Sequence, residues 1–292
     1  MMECKKALNA VDNDYEKASE WLRKNGTAKA ASKLAGRDAS EGMVGIALSL
    51  EGAIAGTGAG TAAASIVRVA SETDFASRGK DFTKLVEVIA NACLVNGGND
   101  GDNDDLMATH ISGKDGKIKT VKDALDDAIL AIRENLQIAS AEIIVPSSDQ
   151  SVVTGYVHGK VFNESNAGTA AAIVELVPID TTKSTLSRVE IEEIGKKLAM
   201  HIVAAKPAYL APGDVPADEV EKEKQILMEQ MADSGKPADI MEKIVDGRMR
   251  KYYEGICLTE QGHMLEEGNP KVSKALSQVG LTLVSFKCSF IQ

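Results

Sequence analysis

The side chains from which this chain of 292 residues could build chemistry are four histidines, four cysteines and 43 acidic residues. His110, His158, His201 and His263 are scattered, and no His-x-x-x-His pair sets two imidazoles on one helical face for a metal. Cys4, Cys93, Cys257 and Cys288 form no Cys-x-x-Cys pair. In a chain of this length they read as reduced thiols, not a disulfide framework or a zinc site. No nucleophile elbow, phosphate loop or dinucleotide fingerprint is present, and the Gly-rich run at 56–62 reads as a hairpin turn. Asp100-x-Asp102-x-Asp104 starts like a calcium loop. Its sixth position is Asp105 where the turn needs Gly, and its twelfth is Ile111 where a bidentate Glu is needed. His201 falls in an amphipathic helix and reads as a packed histidine, not a base. No constellation for making or breaking bonds emerges, so no catalytic residue, cofactor or metal is assigned. The pattern is that of a binding protein.

One polar corner stands out. The strand-like run Ile66 to Val69 breaks into Ser71-Glu72-Thr73-Asp74, and Phe75, one of only five Phe, follows at once. The elements that must position it start from composition. Hydrophobic residues make up 44% and aromatics only 4%, so the core is built of Ala, Val, Ile, Leu and Met. The formal net charge of -10 disfavours direct nucleic-acid binding. No apolar run is long enough to span a membrane, and "MMECKKALNA" looks like neither a secretory signal nor a transit peptide.

Residues 1–37 read as a small helical module. Ala7, Leu8 and Val11 share one face, Asp12-Asn13 makes a turn, and Tyr15, Ala18 and Leu22 form a second stripe that Gly26 ends. Thr27 to Leu34 is a third helix candidate. The centre holds an internal repeat: "AGTAAASIVRVASETDF" from Ala59 and "AGTAAAIVELVPIDTTK" from Ala167. Each copy follows an earlier strand candidate, Met43 to Leu50 or Val152 to Val157. Each precedes a helix with an apolar stripe: Phe82, Leu85, Val86, Ile89 and Cys93, or Ile191, Ile194, Leu198 and Ile202. Each therefore reads as an antiparallel hairpin backed by a helix.

Residues 96–117 read as a solvated polar loop, followed by a helix from Val121 to Leu136. Residues 215–254 read as an antiparallel helical hairpin, with stripes Val220, Leu227, Met231 and Met241, Ile244, Val245, Tyr252 around a Ser-Gly-Lys-Pro turn. "VSFKCSF" near the end reads as a last strand. The fold class is α+β: module 1–37, a core half 38–150 carrying the corner, and a second half 151–292 into which 215–254 is inserted.

Aligning the repeats sets Asp180-Thr181-Thr182 opposite Thr73-Asp74-Phe75, so the scaffold does not require an aromatic at this corner. Phe75 also lies seven residues before Phe82 and could share its buried stripe, although Arg78 and Gly79 interrupt it. Spacing leaves both readings open.

At these residues the chain resembles translation elongation factor Ts of the bacterial type. "ETDF" resembles the family's Thr-Asp-Phe-Val signature, and "MMECKKAL" its N-terminal block. "GYVHG", "HIVAAKP", "VEKEKQI", "SGKP" and "KIVDGRMRKYY" follow in the family's order. The resemblance implies a module like a ubiquitin-associated domain, a two-halved core and a helical hairpin. It also implies guanine-nucleotide exchange on elongation factor Tu. Thr73, Asp74 and Phe75 match the signature, whose Phe inserts into the GTPase near its magnesium and phosphate site. Met2, Lys5 and His158 match further contacts to that partner. Ala76 stands where the family has Val, and Ala70-Ser71 where it has Asn-Cys. A smaller residue behind the aromatic would leave it looser. The rival expectation is a stable structural or binding subunit that keeps this fold in a larger assembly, and the hairpin could serve self-association instead of gripping the GTPase. The length of the 96–117 loop and the lack of the family's leading helix before Met1 lean toward a mitochondrial matrix, with a bacterial-type cytoplasm or a plastid as alternatives.

Overall fold

The structure is a computed structural model, and it describes residues 2–18, 21–22, 36–49, 63–96, 103–112, 116, 118–180, 186–230 and 238–291. The chain divides into two compact units. The first comprises residues 1–149, 155–173 and 287–292, and the second 150–154 and 174–286. These units cut the chain differently from a simple division at residue 150. Strand Ala167–Gly168 pairs with the strand Glu41–Leu48, which draws its neighbourhood into the first unit.

In the first unit, β1 (Glu41–Leu48) and β2 (Ala64–Ser71) run antiparallel in continuous register from Glu41↔Ser71 to Leu48↔Ala64. β5 (Gln137–Ile144) adds to the far side of β2 and β7 (Ala167–Gly168) to the far side of β1, giving the order β5-β2-β1-β7. Helix Lys80–Asn96 covers one face with the expected stripe, since Phe82, Leu85, Val86, Ile89 and Cys93 are all buried. A Cβ on Gly45 of β1 would run into the Val86 side chain, so the missing side chain lets helix and sheet approach closely. The buried Ser65 hydroxyl donates to the Ala90 carbonyl at 2.6 Å.

The second copy repeats the plan. β6 (Val152–His158) neighbours β8 (Ala170–Pro178), β9 (Leu281–Phe290) completes the order β6-β8-β9, and helix Arg188–Ala205 follows. Ile191, Leu198 and Ile202 are buried and Ile194 is half-buried. Here the close approach is made from the helix side, because a Cβ on Gly195 would meet the Thr154 side chain. The "VSFKCSF" run lies within β9, as expected.

Several expectations need correction. The 96–117 segment is not merely a solvated loop. It contains a helix, Asn103–Ala108, whose Leu106 is buried in the core, and a strand, β3 (His110–Ser112), which pairs with β4 (Ile118–Thr120) just beyond it. The helix expected to reach Leu136 spans Val121–Ile132, because Arg133 adopts a left-handed conformation at φ 66° and ends it. β5 then begins at Gln137, a strand that sequence periodicity did not mark.

At the N-terminus the helix Met2–Ala10 buries Ala7 and half-buries Leu8, and Val11 just past its end is half-buried too. The chain turns at Asp12 and Asn13, both at positive φ, which these short polar residues tolerate. Residues 15–18 and 21–22 are helical, but Tyr15 is 82% exposed and so is not part of a buried stripe with Ala18 and Leu22. Gly26 and the 27–34 helix candidate lie outside the described residues, as do Met231, the Ser-Gly-Lys-Pro turn, Thr181 and Thr182.

The 215–254 unit is two helices, Ala217–Glu229 and Ala238–Ile256, packed through Leu227, Val245 and Met249 with Val220, Met241, Ile244 and Tyr252 against them. Tyr252 reaches Glu219 and Arg248 reaches Gln230, so the two helices run antiparallel. Both hydroxyls of Tyr209 and Tyr252 donate to the Glu219 carboxylate, at 2.6 and 2.7 Å.

Candidate functional site

The corner after β2 is built on Thr73. Its backbone is extended (φ -127°, ψ 153°), and its side-chain oxygen accepts the Ala76 N–H at 3.3 Å, capping the short helix Asp74–Ser77. The Ser71 hydroxyl donates to the Thr73 carbonyl and the Ser77 hydroxyl to the Asp74 carbonyl. Asp74 pairs with Arg78 at 3.3 Å, but both side chains are well exposed, so this pair contributes little to stability. The helix stops at Ser77 and a new one starts at Lys80, with Gly79 between them donating back to the Ala76 carbonyl.

That break decides where Phe75 goes. The spacing of seven to Phe82 has no meaning across two separate helices, and Phe75 is 86% exposed while Phe82 is fully buried. Of the two readings the spacing left open, the shared buried stripe is excluded. Ala76, in the place of the family's Val, is half-buried.

Sequence reasoning missed what holds this corner. Two residues after the helix Val121–Ile132 ends, Glu134 accepts the Thr73 N–H at 3.0 Å and the Thr73 hydroxyl at 2.6 Å. The next residue returns the arrangement: the Asn135 N–H donates to Glu72 at 2.7 Å. Arg37 joins from a third segment, with its guanidinium 3.4 Å from Glu72 and its carbonyl accepting the Asn135 side-chain amide at 2.9 Å. The acid at 72 and the acid at 134 each secure the backbone of the other's loop. Separations of 61 and 63 residues carry no periodic signal, so nothing in the sequence marked the pair.

The remaining candidates stand on other elements of the first unit. Lys5 is exposed on the helix Met2–Ala10, on the side away from buried Ala7, and Met2 opens that helix. His158 is exposed at the end of β6, with its Nδ1 3.3 Å from the Tyr156 hydroxyl and its carbonyl accepting the Thr169 N–H. The corner thus brings together Thr73, Asp74 and Phe75. Lys5 and His158 are presented separately.

Two of the four cysteines, Cys93 and Cys257, and two of the four histidines, His201 and His263, are buried, while Cys4, His110 and His158 are exposed. Burial pushes the thiols of Cys93, Cys257 and Cys288 up to about 11, which suppresses the thiolate needed for reaction. His201 and His263 are buried 5.3 Å apart, and burial holds both below the ordinary histidine value. His201 accepts the Met264 N–H on Nδ1, which leaves Nε2 to donate to the Gln261 side chain at 3.1 Å. It is packed as the sequence indicated. Among the described residues no group of three or more His, Cys, Asp or Glu gathers as metal ligands, and no helix is long and apolar enough to cross a membrane.

Known proteins are similar to this sequence along nearly its whole length. The family model described as Elongation factor TS matches residues 72–290, a span that includes the corner and both core helices. Elongation factor Ts of Rhodospirillum rubrum is 39% identical over 97% of this chain and 82% of its own length. That of Paramagnetospirillum magneticum is 39% identical over 96% and 80%, and that of Gluconobacter oxydans 35% identical over 98% and 85%. All three relatives are bacterial proteins.

Proposed function

Because the chain belongs to the elongation factor Ts family, we propose that it is a guanine-nucleotide exchange factor for elongation factor Tu in translation elongation. The observation that carries this reading is Phe75, an aromatic ring 86% exposed on a corner whose backbone is capped and tied down. An exposed ring does nothing for its own fold, and it is ready to be buried in a partner. Phe75 enters the GTPase beside its magnesium and phosphate site, and Asp74 and Thr73 accompany it there. Met2, Lys5 and His158 grip the partner from the N-terminal helix and the end of β6.

The work is done by binding alone. An exchange factor favours the nucleotide-free GTPase, and linkage makes nucleotide and factor weaken each other equally. A shift of the equilibrium from 1:99 to 99:1 takes about 5.5 kcal/mol of differential binding. Burying one Phe supplies about 1.5–3 kcal/mol. The ring therefore needs help from disturbance of the metal site and from the N-terminal and β6 contacts. The bacterial relatives favour a bacterial cytoplasm over a mitochondrial matrix as the place where this happens.

The test is release of fluorescent GDP from a purified bacterial-type elongation factor Tu as the chain is titrated in. A saturable acceleration supports exchange. A complex that forms without faster release would instead favour a stable binding subunit.

A further inference from the structure

We propose that Glu134 is the positioning residue that sets the Phe75 corner, acting through Thr73. The inference rests on the exchange reading for its functional arm and on geometry alone for its structural arm. A four-residue helix cannot hold itself, because nucleation costs more than its few hydrogen bonds return. Phe75, being exposed, adds no packing to fix it. The C-terminal end of the helix rests on buried Ser77, and its N-terminal end, from which the ring projects, is fixed by the residue before it: Thr73 donates both its N–H and its hydroxyl to one carboxylate, that of Glu134. Hydrogen bonds to an ionised acceptor are about twice as strong as neutral ones.

Glu134 is itself well placed to serve as an anchor. The left-handed Arg133 donates its N–H to the Ile129 carbonyl at 2.8 Å and closes the helix Val121–Ile132. That helix inserts Val121, Ala124, Leu125 and Ile129 into the same core as Phe82 and Ile89. Beyond Glu134, Asn135 is tied to Glu72 and Leu136 is buried. The corner is thus referenced to the core through the end of a helix that lies far along the chain, at a separation of 61 residues. Glu134 needs no contact with the GTPase to govern how Phe75 meets it.

The test uses the full chain with Glu134→Ala and Glu134→Gln. Hydrogen exchange of residues 72–79 in the free protein should become about tenfold faster in Glu134→Ala, the loss expected for a charged hydrogen bond, with helix Lys80–Asn96 unchanged. GDP release at saturating factor should fall about tenfold, while the half-saturating concentration stays within about twofold. Glu134→Gln, which keeps one acceptor, should fall between wild type and Glu134→Ala in both measurements. A merely structural role predicts the reverse pattern: an unchanged plateau reached at higher concentration, because fewer molecules are folded. That pattern, or unchanged exchange at 72–79, would overturn the proposal. If the wild type fails to accelerate GDP release, the exchange reading falls, and hydrogen exchange alone then decides whether Glu134 holds the corner.

Discussion

Phe75 and Phe82 lie seven residues apart on opposite sides of the solvent boundary, one 86% exposed and the other fully buried. The break at Arg78-Gly79 separates them by ending one helix before the next begins. The same residue type therefore has two roles in one short stretch of chain: Phe82 anchors the helix to the sheet, and Phe75 is held out from it.

Truncating the two rings should separate these roles. Phe82→Ala should cost about 3–5 kcal/mol of stability, as large core truncations do. Phe75→Ala should change stability by no more than about 0.5 kcal/mol, as a surface substitution. Denaturant unfolding of both variants reads the difference directly. Equal destabilisation would mean that Phe75 packs against its own fold.

Lys5 is exposed on the N-terminal helix and is expected to meet the GTPase as a charged contact. Lys5→Ala should weaken binding to elongation factor Tu by about three- to tenfold, with the deficit shrinking as salt rises. Titration at two ionic strengths checks it. Unchanged affinity would remove Lys5 from the interface.

The helical pair in the second unit should be dispensable for the rest of that unit. The N–H groups of Ala208 and Tyr209 both donate to the Ile256 carbonyl, at 2.9 and 3.0 Å, so the two ends of the excursion already meet. Its own apolar seam is confined to the two helices. Replacing residues 217–254 with a short Gly-Ser link should shift the melting temperature by less than about 5 °C. A loss of cooperative unfolding would show that the pair supports the core.

Acid should weaken the fold through His201 and His263. Burial lowers both, with His201 a second cause for His263, while Gln261 and Glu266 push the other way. Below about pH 6.5 the unfolded chain binds protons that the folded chain refuses, so unfolding becomes easier as pH falls. The contribution of these histidines should be flat above about pH 7 and fall as pH drops below about 6.5, by at most about 1.4 kcal/mol per pH unit for each histidine. His263→Asn should reduce that slope. A wild-type stability that does not change between about pH 7 and 5.5 would contradict the packing of this pair.

How much of this could be read beforehand depended on the range of the interactions. The repeat was legible because hairpin and helix are local, and the stripe from Phe82 to Cys93 records its own burial every three or four residues. Antiparallel helices at 217–256 were legible for the same reason. The 96–117 segment misled because Leu106, Met107 and Ile111 are its few large apolar residues, too few to show a period, yet Leu106 reaches the core and the other two pack against it. Tyr15 misled in the other direction, since spacing cannot tell an exposed aromatic from a buried one. At the corner, Thr73, Asp74 and Phe75 were visible as a local anomaly. Glu134, Asn135 and Arg37 were not, because they reach the corner only through the tertiary fold.

The central claim is that Phe75 serves the partner and not its own fold, and GDP release by Phe75→Ala tests it most directly. The rate at saturating factor should drop about tenfold to a hundredfold, the equivalent of burying one Phe, while the melting curve overlays that of the wild type. A variant that melts normally and still releases GDP at the wild-type rate would contradict the account.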